Sequence, residues 1–396
     1  MNEEYRLWEK RQIEKGIDIG WVKKEIKSFR VETPSWGYGD SGTRFKTFKE
    51  KGAANSIFEK LDDAEQVNKF TGICPSVAIH IPWDKVDNYN EIKLYAETHS
   101  LQIGTVNPNL IFADEYQFGS LCNADPSIRK LAVKHMLECV DIAKIVGAKV
   151  LSLWLPDGTN YPGQGDFRAR KLWLIDCLRE LDKAMDDDMR MLIEYKTHEP
   201  AFYHTDIADW GMAYSLAEKI GKKAEVLVDL GHHAQGTNIE HIVAFLIDEG
   251  KIGGFHFNNR KYADDDLIVG SINPYELFLI FNELIAGKLD PRAARTVNNI
   301  SYMIDQSHCI EPKIPAMIRS VMNIQTAHAK ALLIQRDSLK KAQQCNDVMT
   351  AEAIVREAFE TDVGPLLRMV REEIGLQPDP MKAYLESNYE KKKQKR

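Results

Sequence analysis

Short runs rich in Val, Ile, Leu and Phe recur along the chain, and between them lie longer stretches in which apolar positions return every three or four residues. The short runs predict strands over 29–33, 76–81, 101–107, 149–155, 190–196, 225–230, 252–258 and 300–305. The longer stretches predict helices over 55–70, 126–146, 171–185, 207–220, 239–249 and 274–286. Boundary residues agree with that division: Asp125-Pro126 opens one helix, Gly147 closes it, and Gly221 and Gly250 close two others. Strands alternating with helices imply a parallel sheet covered on both faces. Eight of them favour an α/β fold of the closed (β/α)8 TIM-barrel kind over an open doubly wound sheet.

The sequence holds no GxGxxG and no GxxxxGK[ST] pattern, so nucleotide-binding alternatives lack their phosphate loop. Four regions are expected: an N-terminal helical extension over 1–27, the barrel with its metal site over 28–312, a C-terminal helical extension over 313–386 and a basic, disordered tail over 387–396. Apolar residues of the C-terminal helices (Leu332, Leu333, Ile354, Phe359, Leu366) need a surface to cover, either the barrel or a neighbouring subunit.

Chemistry in such a barrel sits where the strands end. Those ends carry His80, Trp154, Glu194 with Lys196, Asp229 with His232, His256 and Asp305, and Asp264-Asp265-Asp266 follows soon after His256. Alternation along a strand points Glu194 and Lys196 to one side and Tyr195 to the other. A glutamate and a lysine aimed into a lumen must be paired, metal-bound or catalytic. Asp229-x-x-His232 is a weak signal alone, and His233 beside it is a rival for the same role. Asp264 and Asp266, two apart, can aim two carboxylates at one ion while Asp265 points away. Alone, that triplet reads as an acidic turn.

Taken together these residues make a stronger argument. One Glu, four Asp and two His at one barrel mouth would repel one another without cations. Two divalent ions would neutralise them. Oxygen-dominated donors with one imidazole per ion favour Mn²⁺, with Co²⁺, Mg²⁺ or Zn²⁺ as alternatives. None of the six cysteines (74, 122, 139, 177, 309, 345) falls in the set, and they contain no CxxC pair.

Charge narrows the function classes. The chain carries 52 Lys plus Arg against 59 Asp plus Glu, a net charge of -7. The tail contributes +4, leaving -11 for the rest, the wrong balance for a body that wraps nucleic acid. No apolar run approaches the roughly 18 residues of a membrane span. The charged start Met1-Asn2-Glu3-Glu4 reads as a helix rather than a signal peptide, so a cytoplasmic location is expected.

The ordered set His80, Trp154, Glu194-x-Lys196, Asp229-x-x-His232, His256, Asp264-x-Asp266 and Asp305 resembles the xylose-isomerase-like sugar isomerases, more narrowly the L-rhamnose isomerase branch. The strings Gly39-Asp-Ser-Gly-Thr-Arg-Phe45, Glu194-Tyr-Lys-Thr-His-Glu-Pro-Ala-Phe-Tyr203 and Ile304-Asp-Gln-Ser-His308 strengthen the narrower match. The resemblance spans about 30–310. It implies a structural ion held by Glu194, Asp229, His256 and Asp305. A catalytic ion would be held by His232, Asp264 and Asp266, with Asp229 bridging. It further implies Lys196 on the sugar's carbonyl oxygen, His80 on the ring oxygen, and Trp154 as an apolar wall, with Asp266 and Asp305 among the catalytic groups. An aromatic from a neighbouring subunit closes the pocket in that family, and Phe45, with Trp36 nearby, matches that segment. The activity implied is aldose–ketose isomerisation, L-rhamnose to L-rhamnulose, in a homo-oligomer (dimer or tetramer) acting on a free sugar, away from nucleic acid and membranes. Three rivals share the fold class: a sugar C3-epimerase using one metal, an endonuclease IV-like metal-dependent nuclease, and a non-catalytic scaffold barrel.

Overall fold

The computed structural model describes residues 3–43, 46–199 and 202–396. Eight parallel strands form one sheet in chain order. They are β1 (Thr33–Pro34), β2 (Ser76–Ile81), β3 (Gln102–Pro108), β4 (Val150–Trp154), β5 (Arg190–Glu194), β6 (Ala224–Asp229), β7 (Ile252–Phe257) and β8 (Ser301–Ile304). The seam between β8 and β1 is closed by a parallel bridge between Glu32 and Met303, in which the Glu32 amide donates to Tyr302 O (2.8 Å) and the Ile304 amide to Glu32 O (2.9 Å). The sheet is therefore a barrel, as the strand count implied. Each predicted strand lies within a few residues of an observed one. The first is the loosest match, reduced to two residues plus the bridge.

The helices form for local reasons, some of them read from the sequence. Pro126–Val146 starts on the Asp125 side chain, which accepts the Ser127 amide, and stops at Gly147 with φ +84°. Ile57–Thr71 opens with a reciprocal cap: Ser56 Oγ accepts the Glu59 amide and Glu59 Oε2 accepts the Asn55 amide. The helix Tyr89–Thr98, between β2 and β3, has no counterpart among the predicted helices. Only Ile92 and Ala96 are buried in it, so its apolar signal is thin.

The N-terminal extension is two helices, Glu3–Glu14 and Ile19–Ser28, rather than one, because Gly16 takes a left-handed φ of +81° between them. Beyond β8, Lys313–Leu332 buries most of its length against the barrel, and Leu366 and Leu332 are in the core. The tail departs from the disordered end expected of it. Tyr389–Lys393 is helical, and Arg396 lies 2.9 Å from the fully buried Asp63, which also accepts a hydrogen bond from Tyr389 (2.9 Å). A buried carboxylate on Ile57–Thr71 needs cations, and the basic tail supplies them. No helix among the described residues is long and apolar enough to cross a membrane.

The lumen is filled in layers. Near the N-terminal end of the strands, Arg190 reaches Glu225 (2.9 Å) and Ser301 (2.5 Å). Above it lie the apolar Val150, Leu192 and Leu227. Glu32 shares the interior, accepting a hydrogen bond from Thr105 Oγ1 (2.6 Å), and burial pushes its carboxyl up to about 7. A side chain at Gly104 would place its Cβ 2.2 Å from Glu32 Oε1, so glycine is what makes room for that acid. The layer above, at the strand ends, is charged.

Candidate metal centre

β5 to β8 present their last inward positions to a single point. Glu194, Asp229, His256 and Asp305 each offer a donor atom, and these atoms lie within 4.8 Å of one another. His256 Nδ1 is at the centre, 3.2 Å from Glu194 Oε1, 3.3 Å from Asp305 Oδ2 and 3.7 Å from Asp229 Oδ2. Burial opposes charge on His256, but Glu194, Asp229 and Asp305 outweigh it and hold the imidazole well above its ordinary range. Three carboxylates and one imidazole, nearly all buried, suit a divalent ion with oxygen-dominated donors.

A second set adjoins the first. His232 Nδ1 faces Glu194 Oε1 at 3.3 Å and its Nε2 faces Asp264 Oδ1 at 3.1 Å. Burial lowers His232, but Asp229 and Asp264 prevail and push it up to about 9. Asp264 is held well below the usual carboxylate range, despite its burial, by His232 and Lys196. Asp266 goes the other way, raised well above that range by burial and by Asp264, Asp305 and Asp229. Both aspartates adopt left-handed backbone, φ +51° and +48°, an uncommon conformation that recurs at functional sites. Asp265 does point away: its Oδ2 accepts the amides of Lys261 (2.5 Å) and Tyr262 (2.6 Å) and shapes the turn.

His232, rather than His233, faces inward. His233 lies outside the lumen, where its Nε2 meets Tyr195 OH at 2.6 Å. Gly231 serves close approach rather than a left-handed turn. A Cβ there would lie 3.1 Å from Asn258 Oδ1 and 3.2 Å from Asp229 Oδ1. Asp229 is fixed by the Gly231 amide (2.6 Å) and by Asn258 Nδ2 (3.0 Å).

Around the carboxylates stands a wall of cationic and aromatic groups. Lys196 Nζ lies 2.6 Å from Asp264 Oδ2, 2.9 Å from Glu199 Oε2 and 5.0 Å from the centre of the Trp154 ring. Trp36 Nε1 donates to Asp305 Oδ1 at 2.9 Å, so this chain's own Trp36 reaches its own site. His80 is stacked on Trp83 at 3.9 Å and meets Trp36 edge-on at 5.6 Å. Burial, then the charges of Lys60 and His135, lower His80 to about 3, which keeps the imidazole neutral. His80 Nδ1 and Trp154 Nε1 are buried polar atoms with no protein partner among the described residues. Phe45 lies outside the described residues.

Every other candidate residue read from the sequence is therefore drawn into this one region. Sequence reasoning did not assign Glu199, Asn258 or Asp84. Glu199 had a readable signal, standing three residues beyond Lys196. Asn258 had one too, two residues beyond His256 at the end of an apolar strand. Asp84 had none.

Comparison with known proteins gives a consistent placement. A family model described as xylose isomerase-like TIM barrel matches residues 68–278. A probable sugar isomerase of Rhizobium meliloti is 41% identical over 394 residues, covering 98% of this chain and 91% of the relative. A similarly described protein of Mesorhizobium japonicum is 40% identical, covering 99% of this chain and 91% of the relative. A xylose isomerase of Thermus thermophilus is 25% identical over 51% of this chain and 54% of the relative. Among solved structures, the 3-keto-D-glucoside 4-epimerase of E. coli superposes with TM-score 0.53 at 15% identity, over 75% of this chain and all of that one. An L-ribulose 3-epimerase does so with TM-score 0.52 at 13% identity, over 78% of this chain and 98% of that one. At such identities these two structures speak for the fold alone.

Proposed function

Because the chain belongs to the xylose isomerase-like TIM barrel family and is a sugar isomerase or epimerase, we propose that it is a cytoplasmic, metal-dependent aldose–ketose isomerase that converts L-rhamnose to L-rhamnulose and accepts related aldoses. What supports this reading is a second group of candidate donors. His232, Asp264 and Asp266 stand beside the four-residue set, and Lys196 lies against Asp264. Glu194, Asp229, His256 and Asp305 would hold one ion, and His232, Asp264 and Asp266 the other, with Asp229 between them. Mn²⁺ is the preferred ion by donor chemistry. The L-rhamnose assignment draws on the resemblance carried by the strings over 39–45, 194–203 and 304–308.

Bound cations would stabilise negative charge developing on O1 and O2 of the open-chain sugar. The residues of this chain do the rest. Lys196 directs its ammonium at the carbonyl oxygen. His80, a neutral imidazole, hydrogen-bonds the ring oxygen as the ring opens. Isomerisation moves the C2 hydrogen to C1 and a proton from O2 to O1; the Asp266 carboxylate takes the O2 proton and returns it to O1. Trp154 covers the C1–C2 face against water, and Trp36 fixes Asp305. The loops at this mouth expose Phe112, Phe118, Tyr161 and Tyr262, and their burial in a homo-oligomer (dimer or tetramer) belongs to the same proposal.

A panel of aldoses assayed for ketose formation with added Mn²⁺ or Co²⁺ tests the reading. L-Rhamnose should lead the panel, with two ions per chain by elemental analysis. A second reading, sugar C3-epimerase, is favoured by the compactness of the four-residue set, which suffices for one ion. One ion per chain with ketose-to-ketose conversion and no aldose product would select it.

A further inference from the structure

Behind the wall of the site lies a buried ion pair that none of the chemistry above uses. Asp84, 1% exposed, lies in the loop after β2. Its Oδ1 accepts from Lys60 Nζ (2.5 Å), and its Oδ2 accepts from Ser35 Oγ (2.5 Å) and from the His80 amide (2.8 Å). The Asp84 amide returns a hydrogen bond to His80 O (2.8 Å). Lys60 comes from Ile57–Thr71 on the outside of the barrel, and Ser35 from the turn that follows β1.

What these ties hold in place is informative. Ser35 precedes Trp36, the indole that donates to Asp305. Trp83 precedes Asp84 and is stacked on His80. One carboxylate, itself the neighbour of one indole, thus anchors the neighbour of the other and the backbone of the imidazole between them. Three segments far apart in the chain, near residues 35, 60 and 80, meet on it.

We infer that Asp84 is a positioning residue, neutralised by Lys60, that sets Trp36, His80 and Trp83 as one rigid wall facing the sugar. Both remaining hydrogen bonds of the carboxylate come from the segments that carry the wall, so the pair ties those segments together while satisfying its own buried charge. Lys60 has a second effect, since its charge adds to burial in keeping His80 unprotonated. The inference rests on the sugar-isomerase reading, and its test separates the two.

Asp84→Asn preserves shape and removes the charge; Ser35→Ala removes one tie and leaves the Lys60 pair intact. Each variant is compared with wild type for bound Mn²⁺, for kcat and KM on the best aldose of the panel, and for the Kd of L-rhamnitol, an unreactive open-chain analogue. Both variants should keep two ions per chain. In Asp84→Asn, kcat/KM should fall about 100-fold, with at least tenfold of that in KM and a matching rise in Kd; Ser35→Ala should show roughly a tenth of the effect. Unchanged KM and Kd in folded, metal-loaded variants overturn the inference, as does a loss that excess Mn²⁺ restores. If Asp84→Asn does not fold, Ser35→Ala decides by the same criteria. A wild type that binds L-rhamnitol but isomerises no aldose removes the functional reading and leaves the wall to be judged on Kd. A wild type that does neither removes both.

Discussion

The Lys196 ammonium lies 2.6 Å from one oxygen of Asp264, while the other oxygen of that carboxylate faces His232 at 3.1 Å. Asp264 is thus shared between a side chain proposed to touch the substrate and one proposed to hold an ion. Replacing the lysine should separate the two roles. In Lys196→Met the two ions should still bind, because all seven donor residues remain. With no positive group for the carbonyl oxygen, kcat should fall about 10² to 10³-fold. Elemental analysis beside steady-state kinetics checks this, and loss of metal in step with activity would contradict the division of roles.

Glu194 and Asp305 predict the opposite pattern. Both stand within 3.3 Å of His256 Nδ1 in the four-residue set. Glu194→Gln or Asp305→Asn removes a negative donor and should weaken ion binding by about a hundredfold or more, taking activity with it. Chelation of the wild type should likewise abolish turnover, with recovery on adding Mn²⁺. Isomerase activity in demonstrably metal-free protein would refute the assignment.

The metal-free protein should lose stability as pH rises. His232 is raised from 6.5 to about 9, and His256 is raised as well. A group raised on folding stabilises fully below its unfolded value and ceases to do so as pH passes its folded value. For His232 alone that amounts to roughly 3 kcal/mol, lost between about pH 6.5 and 9. The raised Asp266 acts in the same direction, whereas the lowered Asp229 and Asp264 lose their contribution only in acid. Melting temperatures of chelated protein at pH 6.5, 7.5, 8.5 and 9.5 should fall steadily, and Mn²⁺-loaded protein should change much less over the same range. A flat profile without metal would show that the imidazoles are not charged.

Gly231 offers a purely steric test. Its missing Cβ would meet Asn258 and Asp229 at 3.1–3.2 Å, both of them buried and held. Gly231→Ala should therefore cost about 1–3 kcal/mol and displace Asp229 from its donor position. Differential scanning calorimetry should record a lower Tm, and titration with Mn²⁺ a higher Kd. A variant equal to wild type in both would show that the neighbours yield without consequence.

The part of this architecture legible in the sequence was the part governed by alternation. Charged residues closing runs such as Val226-Leu227-Val228 could only face a polar site, so Glu194, Asp229, His256 and Asp305 were identifiable before any coordinates. Residues placed by loops were less accessible. Lys60 follows a helical pattern and looks like an ordinary surface lysine, and nothing local links it to Asp84, 24 positions away. The tail misled for a related reason. A run of lysines reads as solvated unless the buried Asp63 that draws Arg396 inward is already known. Distinguishing His232 from His233 likewise needed the buried Tyr195 hydroxyl that engages the latter.

β5 to β8 and their loops supply the candidate metal donors, whereas Trp36, His80, Trp83 and Trp154 come from β1, β2 and β4 and their loops. The hydrogen bond from Trp36 to Asp305 joins the two halves of the barrel. A replacement at Trp36 would therefore be felt by Asp305 as well as by whatever the wall faces, whereas one at Trp83 or Trp154 would change the contour alone.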